Sequence, residues 1–166
     1  MRIRAASISD CPAISSAYLA SWRAGYANLL DPEVLEVEAQ ARSSRDWGST
    51  LRQSDRVVFV ADDEAEGILG VVECEHRPGP GCLPWLQMLY VVPSAWGTGA
   101  AVQLLDAALS AAEEEGHPTI WLEVVEPHAR ARRFYEREGF EVDAAMEPGS
   151  NGLFNLIYYR YGEAVP

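Results

Sequence analysis

Apolar residues recur along this chain with two different spacings, and the change of spacing marks where strands give way to helices. Short runs rich in β-branched and aromatic residues predict strands. These runs lie at 3–7, 56–61, 68–76, 85–92, 119–125, 140–145 and 153–161. Stretches whose apolar positions recur three and four residues apart predict helices. They begin near residues 10 and 31 and at residues 100 and 128. The predicted order is therefore β-αα-βββ-α-β-α-ββ.

This order fits neither a pure βαβ alternation nor a separate helical domain. It predicts a mixed α/β (α+β) fold, in which a twisted, mostly antiparallel sheet of about seven strands carries helices on both faces. A chain of 166 residues is close to the usual size of one domain. Residues 1–166 are accordingly predicted to form a single domain.

The two early helices are each predicted to start at an aspartate followed closely by proline. Asp10 and Asp31 can cap free N–H groups with a carboxylate oxygen, and a proline loses no hydrogen bond in a first helical turn. The inward-facing residues of the first helix are Ile14, Ala17, Tyr18, Ser21 and Trp22. The apolar positions of the second are Val34, Leu35 and Val37.

The two later helices carry clearer apolar stripes, and each stops at a glycine, Gly116 or Gly139. The inner stripe of helix 100–115 is Ala101, Leu104, Leu105, Ala108 and Ala112. The last helix opens at Pro127 or His128, and its inner stripe is Ala131, Phe134, Tyr135 and Glu138.

The net charge of −12 makes nucleic acids and anionic membranes unsuitable partners, whereas it attracts a cationic molecule. The three cysteines, Cys11, Cys74 and Cys82, are an odd number without C-x-x-C spacing. They predict neither a disulfide framework nor a zinc site. No apolar run approaches the roughly 18 residues of a membrane span, and no signal-peptide core follows Met1. A cytoplasmic location without a bound metal is the expectation.

One segment carries an anion-binding pattern. The predicted strand 85–92 leads through Gly97-Thr98-Gly99 into the helix that starts at Ala100. Glycines let the main chain approach a ligand, and a helix N-terminus attracts negative charge, so a pyrophosphate suits this loop. A dinucleotide-binding oxidoreductase also places such glycines between strand and helix, with an acid (here Glu123) downstream. The third glycine of that pattern is replaced by Val102, which makes this alternative the weaker one.

Two blocks of residues resemble those of the GNAT superfamily of N-acetyltransferases. Trp96-Gly97-Thr98-Gly99-Ala100-Ala101 is similar to the cofactor loop Gln/Arg-x-x-Gly-x-Gly/Ala, with Trp96 in place of the polar residue. The segment 128–140 resembles Asn-x-x-Ala-x-x-Phe-Tyr-Glu-x-x-Gly-Phe, with His128 in place of the asparagine. Residues 22–26 and 29–32 look like the first helix and following loop of many bacterial members.

The resemblance implies a transferase that moves the acetyl group of acetyl-CoA to a primary amine of a small molecule or peptide. The amine attacks the thioester directly in a ternary complex, without a metal. Strands 85–92 and 119–125 are implied to separate and to hold the pantetheine arm between them. The implied cofactor-binding residues are Leu89, Tyr90, Val91, Gly97, Thr98, Gly99, Ala100, Ala101, Val102, His128 and Tyr135.

Catalytic roles follow from the same resemblance. Tyr135 is expected to protonate, or hydrogen-bond to, the departing thiolate. Glu123 is expected to accept the amine proton, although a strand carboxylate that faces solvent or pairs with an arginine explains it equally well. Glu73 and Glu75 are the alternative bases, since Trp85 stands where many relatives have a glutamate.

Further residues are candidates for binding. Trp22, Tyr26 and Trp85 are candidates for lining the acceptor pocket. Arg130 and Arg133 are candidates for meeting cofactor phosphates, against the alternative of a solvated helix face. Family habit implies a homodimer. Because of Trp96, His128 and Trp85, a catalytically silent CoA-binding regulatory module also remains an alternative.

Overall fold

The computed structural model describes residues 1–75, 84–117, 119–145 and 155–161. In these ranges the strands are β1 Arg2–Ala5, β2 Arg56–Asp63, β3 Gly67–Glu75, β4 Trp85–Val91, β5 Thr119–Val125, β6 Glu141–Ala145 and β7 Asn155–Tyr161. The helices of the same ranges are α1 Cys11–Tyr26, α2 Pro32–Ser43, α3 Trp47–Leu51, α4 Ala100–Glu114 and α5 Ala129–Arg137. Short 3₁₀ turns at Ile8–Asp10 and Pro93–Ala95 precede α1 and the glycine loop.

The strands form one sheet in the order β1-β2-β3-β4-β5-β7-β6. Neighbouring strands run antiparallel except for β4 and β5, which are parallel. The predicted fold class, a mixed and mostly antiparallel sheet, is therefore confirmed. The single parallel junction joins the two halves of the sheet.

That parallel junction is short, and the two strands then separate. β4 pairs with β5 only at Trp85–Trp121 and Leu86–Leu122. Beyond those pairs β4 stays bound to β3, and β5 stays bound to β7. A β-bulge contributes to the separation, because Gln87 is an extra residue between the partners of Glu73 and Cys74. A bulge bends its strand and increases the local twist. The result is a wedge-shaped gap between β4 and β5.

Helices cover both faces of the sheet, as predicted. On one face α4 buries Leu104, Leu105 and Ala108 in a core that also contains Tyr135 of α5. On the other face α1 and α3 bury a second core that contains Ile14, Tyr18, Trp47, Val58 and Val71. The gap between β4 and β5 is thereby flanked by helices on both sides.

Gly70 allows α4 to lie close to the sheet beside this gap. A Cβ atom at Gly70 would lie 2.9 Å from the Tyr90 carbonyl oxygen and 3.0 Å from Leu104 Cδ1. Both distances are shorter than an ordinary contact. This close approach holds α4 against the sheet next to β4.

The predicted cap at Asp10 is wrong. Asp10 has helical backbone angles (φ −81°, ψ −14°) and makes no side-chain cap of α1, because a capping residue needs a non-helical backbone. Its carboxylate instead accepts hydrogen bonds from the Ser7 N–H at 2.7 Å and from Arg4 at 2.7 and 2.9 Å. The Arg4 guanidinium therefore holds the pKa of Asp10 well below its usual range.

The inner face predicted for α2 is also wrong. Val34 and Val37 are 41% and 69% exposed, and the helix buries Ala39 instead. Asp31 makes no side-chain cap at its start.

The helix α3 was not predicted, because five residues are too few to show a helical period. Its only sequence signal is Asp46, whose carboxylate accepts a hydrogen bond from the Ser49 N–H at 2.9 Å.

The remaining elements agree with their predictions to within a few residues. The inner stripe of α4 is as predicted, except that Ala100 is buried and Ala101 is only partly so. Cys82, the last residue of the predicted strand 68–76 and the first residues of the predicted strand 153–161 lie outside the described residues. In the part of the chain that the structure describes, no helix has the length and apolar character needed to cross a membrane.

Candidate active site

A cavity of about 420 Å³ lies at the gap between β4 and β5. Leu89, Tyr90 and Val91 of β4 form one wall, beyond the last residue that pairs with β5. The glycine loop and the start of α4 form a second wall, and α5 forms a third. Ser21 and Gly25 of α1 close the remaining side.

Most of the predicted cofactor-binding residues line this cavity. They are Leu89, Tyr90, Val91, Gly97, Gly99, Ala101, Val102, His128 and Tyr135. Thr98 and Ala100 are not lining residues. The Thr98 hydroxyl donates to the Ala95 carbonyl oxygen at 2.8 Å and closes the turn, and the side chain of Ala100 is fully buried.

The glycine loop has the backbone that its sequence requires. Gly97 and Gly99 have φ angles of 78° and 87°, in the left-handed region where a Cβ atom is disfavoured. Gly99 is also the residue that precedes the first turn of α4. The free N–H groups of that turn and the positive end of the helix can therefore bind an anion at the loop.

Trp96, the departure from the family pattern, has two partners in the structure. Its indole Nε1 donates to the Val91 carbonyl oxygen at 2.7 Å, which ties the loop to the end of β4. The Arg130 guanidinium carbon lies 3.4 Å from the centroid of its ring, a cation–π contact. The contact thus brings a cation of α5 beside the glycine loop.

His128 sits at the start of α5 and caps it. Its Nδ1 accepts a hydrogen bond from the Ala131 N–H at 3.3 Å, which assigns the proton of the neutral ring to Nε2. Tyr26 packs edge-on against the ring at 5.5 Å, and a Cβ atom at Gly25 would lie 3.3 Å from Nε2. Burial, with the charge of Arg130, lowers the pKa of His128 below its ordinary value of 6.5. A neutral ring with an Nε2–H donor therefore faces the cavity.

Replacing His128 with asparagine is expected to remove one part of the acid sensitivity of folding. The unfolded chain binds a proton at His128 below about pH 6.5, whereas the folded chain resists it, so stability from this group is lost as the pH falls below that value. Asparagine still caps the helix but does not titrate. Free energies of unfolding at pH 7.5 and pH 5.5 should differ less in the variant than in the wild type. Equal differences would mean that His128 is not held neutral.

Tyr135 presents a protonated phenol at the cavity. The side chain is buried on the inner face of α5, with Phe134 and Phe140 packed edge-on at 5.1 and 5.4 Å. Burial, with a smaller contribution from Tyr26, raises the pKa of Tyr135 above its ordinary value of 10. Within the described residues its hydroxyl makes no hydrogen bond, although it lines the cavity. The hydroxyl can therefore donate to a group inside the cavity.

The aromatic residues predicted for the acceptor pocket lie in three different environments. Trp22 is 2% exposed and stacks on Tyr26 at 4.8 Å, so it belongs to the packing of α1. Tyr26 is not a lining residue, but it packs edge-on against His128, which is one. Trp85 lies at the paired start of β4, with its ring 6.5 Å from that of Trp121.

The candidate bases differ sharply in their surroundings. Glu123 is exposed on β5, one residue beyond the last pair with β4, and its Oε2 accepts a hydrogen bond from Asn155 at 3.2 Å. It does not line the cavity but lies at the edge of the gap. Glu73 is fully buried and forms ion pairs with Arg45 and Arg56.

Glu75 is held in a similar way. Its Oε2 lies 3.0 Å from Arg56 Nη2 and accepts a hydrogen bond from Gln87 at 2.8 Å. Both alternative bases are therefore engaged by cations or amides, from neighbouring strands and from Arg45 between α2 and α3. Among the described residues, no three His, Cys, Asp or Glu side chains converge as a metal site.

Some lining residues were not found from the sequence. Ser21 and Gly25 face the cavity from α1, and Arg137 faces it from the end of α5. Glycine and serine in the middle of a helix carry no chemical signal of their own. Arg137 belongs to the arginine cluster of this helix, and the sequence favours a solvated face for it. Its position on the same helix face as Arg130 and Arg133 is the signal that points to the cavity.

The general sequence pattern of the acetyltransferase (GNAT) family matches residues 16–140. That segment contains the glycine loop, both strands of the gap and α5. The chain belongs to the GNAT acetyltransferase family.

Relatives and solved structures agree with this membership. This GNAT protein is 40% identical to an uncharacterised N-acetyltransferase of Mycobacterium bovis over 58 residues, 35% of this chain and 37% of that protein. The match thus spans less than half of that relative. A probable N-acetyltransferase of Mycobacterium tuberculosis is 24% identical over 175 residues, 100% of this chain and 96% of that protein.

Two solved structures share its fold. PaiA N-acetyltransferase of Thermoplasma acidophilum, in complex with coenzyme A, superposes with a TM-score of 0.82 and 20% identity, over 96% of this chain and 98% of that chain. Ribosomal-protein-alanine N-acetyltransferase of Brucella melitensis superposes with a TM-score of 0.72 and 22% identity, over 97% of this chain and 99% of that chain. At these identities the likeness concerns the fold.

Proposed function

We propose that this GNAT protein transfers the acetyl group of acetyl-CoA to a primary amine, by direct attack of the amine while both substrates are bound. The observation that carries the proposal is the gap between β4 and β5, which opens onto the glycine loop in one continuous cavity. A cosubstrate with a pyrophosphate at one end and an amide-bearing arm at the other matches both parts.

The residues present fit acetyl-CoA. Among the described residues, no strand pairs with Leu89 to Val91 of β4 on the β5 side, where the Val91 carbonyl oxygen accepts only from Trp96. Main-chain groups of this segment can therefore bind the amides of the pantetheine arm as an added strand would. The loop at Gly97 and Gly99 supplies N–H groups for the pyrophosphate. His128, which lines the same cavity, offers an Nε2–H donor. When bound, acetyl-CoA supplies an activated acyl group, and no metal enters the proposal.

Proton transfer is divided between the two sides of the gap. An alkylamine has a pKa near 10.4, so at pH 7 its neutral, reactive form lies about 4 kcal/mol above the charged form. Glu123, at the edge of the gap on β5, is the proposed acceptor of the amine proton, directly or through water. Tyr135, on the α5 side, is the proposed donor to the departing sulfur.

The acceptor is proposed to be a small molecule or a peptide that carries a primary amine. The net charge of −12 favours the approach of a cation over that of a nucleic acid or an anionic membrane. Among the solved relatives, the Brucella protein carries in its name the modification of an alanine on a ribosomal protein. A single domain, a cytoplasmic location and a homodimer complete the proposal and stay untested predictions.

The direct test is release of the CoA thiol when the full chain is mixed with acetyl-CoA and a panel of amines that includes alkylamines, amino acids and short peptides. The expected result is thiol release that requires one class of amine, with a product heavier by one acetyl group. Initial rates with both substrates varied should give intersecting lines, whereas parallel lines would contradict direct attack. Tight binding of acetyl-CoA with no thiol release on any amine would support the silent regulatory module instead.

A further inference from the structure

We propose that Arg133 and Arg137 of α5 form a binding site for a phosphate monoester, namely the 3′-phosphate of the acetyl-CoA cosubstrate. The inference rests on the proposed function, since it assumes that acetyl-CoA occupies the cavity. It goes beyond that function because it assigns a second anion site, on the wall of the cavity that α5 forms.

Three arginines face the cavity from one side of α5. Arg130, Arg133 and Arg137 all line it, and their spacing of three and four residues puts them on one helix face. At a rise of about 1.5 Å per residue, Arg133 and Arg137 lie about 4.5 and 10.5 Å further along the helix axis than Arg130. The wall is therefore a row of cations that begins at the loop and leads away from it.

Arg130, the first member of the row, is already engaged. Its guanidinium lies over the Trp96 ring beside Gly97, and partial burial lowers its pKa below the ordinary value. At this end of the row, the loop, the N-terminus of α4 and Arg130 together bind the pyrophosphate. A charge of about −2 on a pyrophosphate does not require two more guanidinium groups further along the wall.

Arg133 and Arg137 are the members available for another anion. Within the described residues Arg133 forms no ion pair, and Arg137 has only Glu138 at 3.6 Å, while its side chain is 71% exposed. The chain as a whole carries 25 acidic against 13 basic residues, so a row of cations along one wall stands out from its surroundings. Coenzyme A carries one phosphate besides its pyrophosphate, a monoester with a charge near −2 above about pH 6.

Arg132 provides a matched control on the same helix. Its Nε donates to the Tyr158 hydroxyl at 3.2 Å, and its Nη1 donates to the Glu126 carbonyl oxygen at 3.3 Å. It does not line the cavity. Removal of this charge changes the net charge by one unit, half of the change made by replacing both Arg133 and Arg137, without touching the proposed site.

The test compares coenzyme A with 3′-dephospho-coenzyme A, two probes that differ only in the monoester. Dissociation constants are measured by calorimetry on the full chain, for wild type, for the Arg133→Gln/Arg137→Gln double variant and for Arg132→Gln. Wild type should bind coenzyme A about tenfold more tightly than the dephospho form, as expected for a charge-assisted contact. The double variant should lose this preference by weaker binding of coenzyme A alone, and Arg132→Gln should keep it.

Two outcomes overturn the inference, and they differ from a failure of the proposed function. Equal affinity of wild type for the two probes would show that the monoester is not bound. A preference that persists in the double variant would place the monoester elsewhere. If neither probe bound, the proposed function itself would fail together with the inference.

Discussion

Replacing Tyr135 with phenylalanine is expected to lower kcat by about 100-fold while the dissociation constant of acetyl-CoA changes by less than about twofold. The substitution removes one hydroxyl from a buried ring that is otherwise held by Phe134 and Phe140. Packing and cofactor contacts by the ring remain, so the loss falls on the step in which sulfur departs. A binding effect without a rate effect would instead indicate a purely structural ring.

The size of this effect follows from the burial of Tyr135. An ordinary phenol is a weaker acid than an ordinary thiol by about 1.5 pKa units, so complete proton transfer to a solvated thiolate is uphill by about 2 kcal/mol. Burial raises the pKa of Tyr135 further, but it destabilises a thiolate formed in the same cavity for the same reason. A hydrogen bond from the phenol to the developing thiolate is therefore strong. Because the raised pKa keeps the phenol protonated, Tyr135 should cause no loss of rate up to about pH 10.

Tyr158 supplies the matched control for this experiment. It is a fully buried tyrosine that does not line the cavity, and its hydroxyl donates to Glu136 at 3.0 Å. Tyr158→Phe removes the same atom from a buried ring outside the cavity, together with its hydrogen bonds to Glu136 and from Arg132. Since these groups do not touch the proposed site, kcat should stay within about twofold of wild type. An equal loss in both variants would show that the effect of Tyr135→Phe arises from lost stability rather than from the chemical step.

Replacing Glu73 with alanine is expected to lower the free energy of unfolding by about 3 kcal/mol, because it removes a buried carboxylate that is shared by two guanidinium groups. Arg45 and Arg56 both form ion pairs with Glu73. The Nε atoms of both arginines and the Trp47 indole nitrogen are already buried without a hydrogen-bond partner. The loss of Glu73 would leave further donors unpaired. The side chains of Arg45 and Arg56 are 27% and 23% exposed. Water can therefore hydrogen-bond to them, which reduces the loss of stability.

Denaturant unfolding of Glu73→Ala beside Glu36→Ala measures this difference. Glu36 pairs with Arg23 at 3.1 Å on the surface, where both side chains are well exposed, so its removal should cost less than about 1 kcal/mol. Glu73→Gln keeps the shape and some hydrogen bonds and should lie between the two. The alternative base role of Glu73 predicts the reverse pattern, with normal stability and a loss of turnover at neutral pH. That pattern would contradict the structural role assigned to this ion network.

The order of elements was predictable because it depends on local periodicity. The apolar stripe of α4, with Leu104 and Leu105 at its centre, repeats every three to four residues, and its face is buried in the structure. The glycine loop was predictable for a similar reason, since Gly97 and Gly99 are required by the backbone at those positions themselves. Neither prediction needed information about distant parts of the chain.

Features that depend on distant partners were not predictable from the sequence. The contact between Trp96 and Arg130 joins the loop to α5, and neither residue signals the other in the sequence. The buried face of α2 is set by its neighbour α1, so that Ala39 is buried while Val37 is exposed. The ion pairs of Glu73 likewise depend on arginines from two other segments. Because a strand carboxylate has the same sequence signal whether it is buried or exposed, the sequence could not show that Glu73 is buried in an ion network while Glu123 is exposed.

The central claim is that the gap between β4 and β5, with its glycine loop, binds acetyl-CoA. The most direct measurement is the melting temperature of the full chain with acetyl-CoA and, in parallel, with NADH at the same concentration. A ligand present at about 100 times its dissociation constant adds about 2.7 kcal/mol of stability, which raises the melting temperature by several degrees. We predict such a rise with acetyl-CoA and none with NADH. A rise with NADH and none with acetyl-CoA would contradict the account and reassign the loop at Gly97 and Gly99 to a dinucleotide.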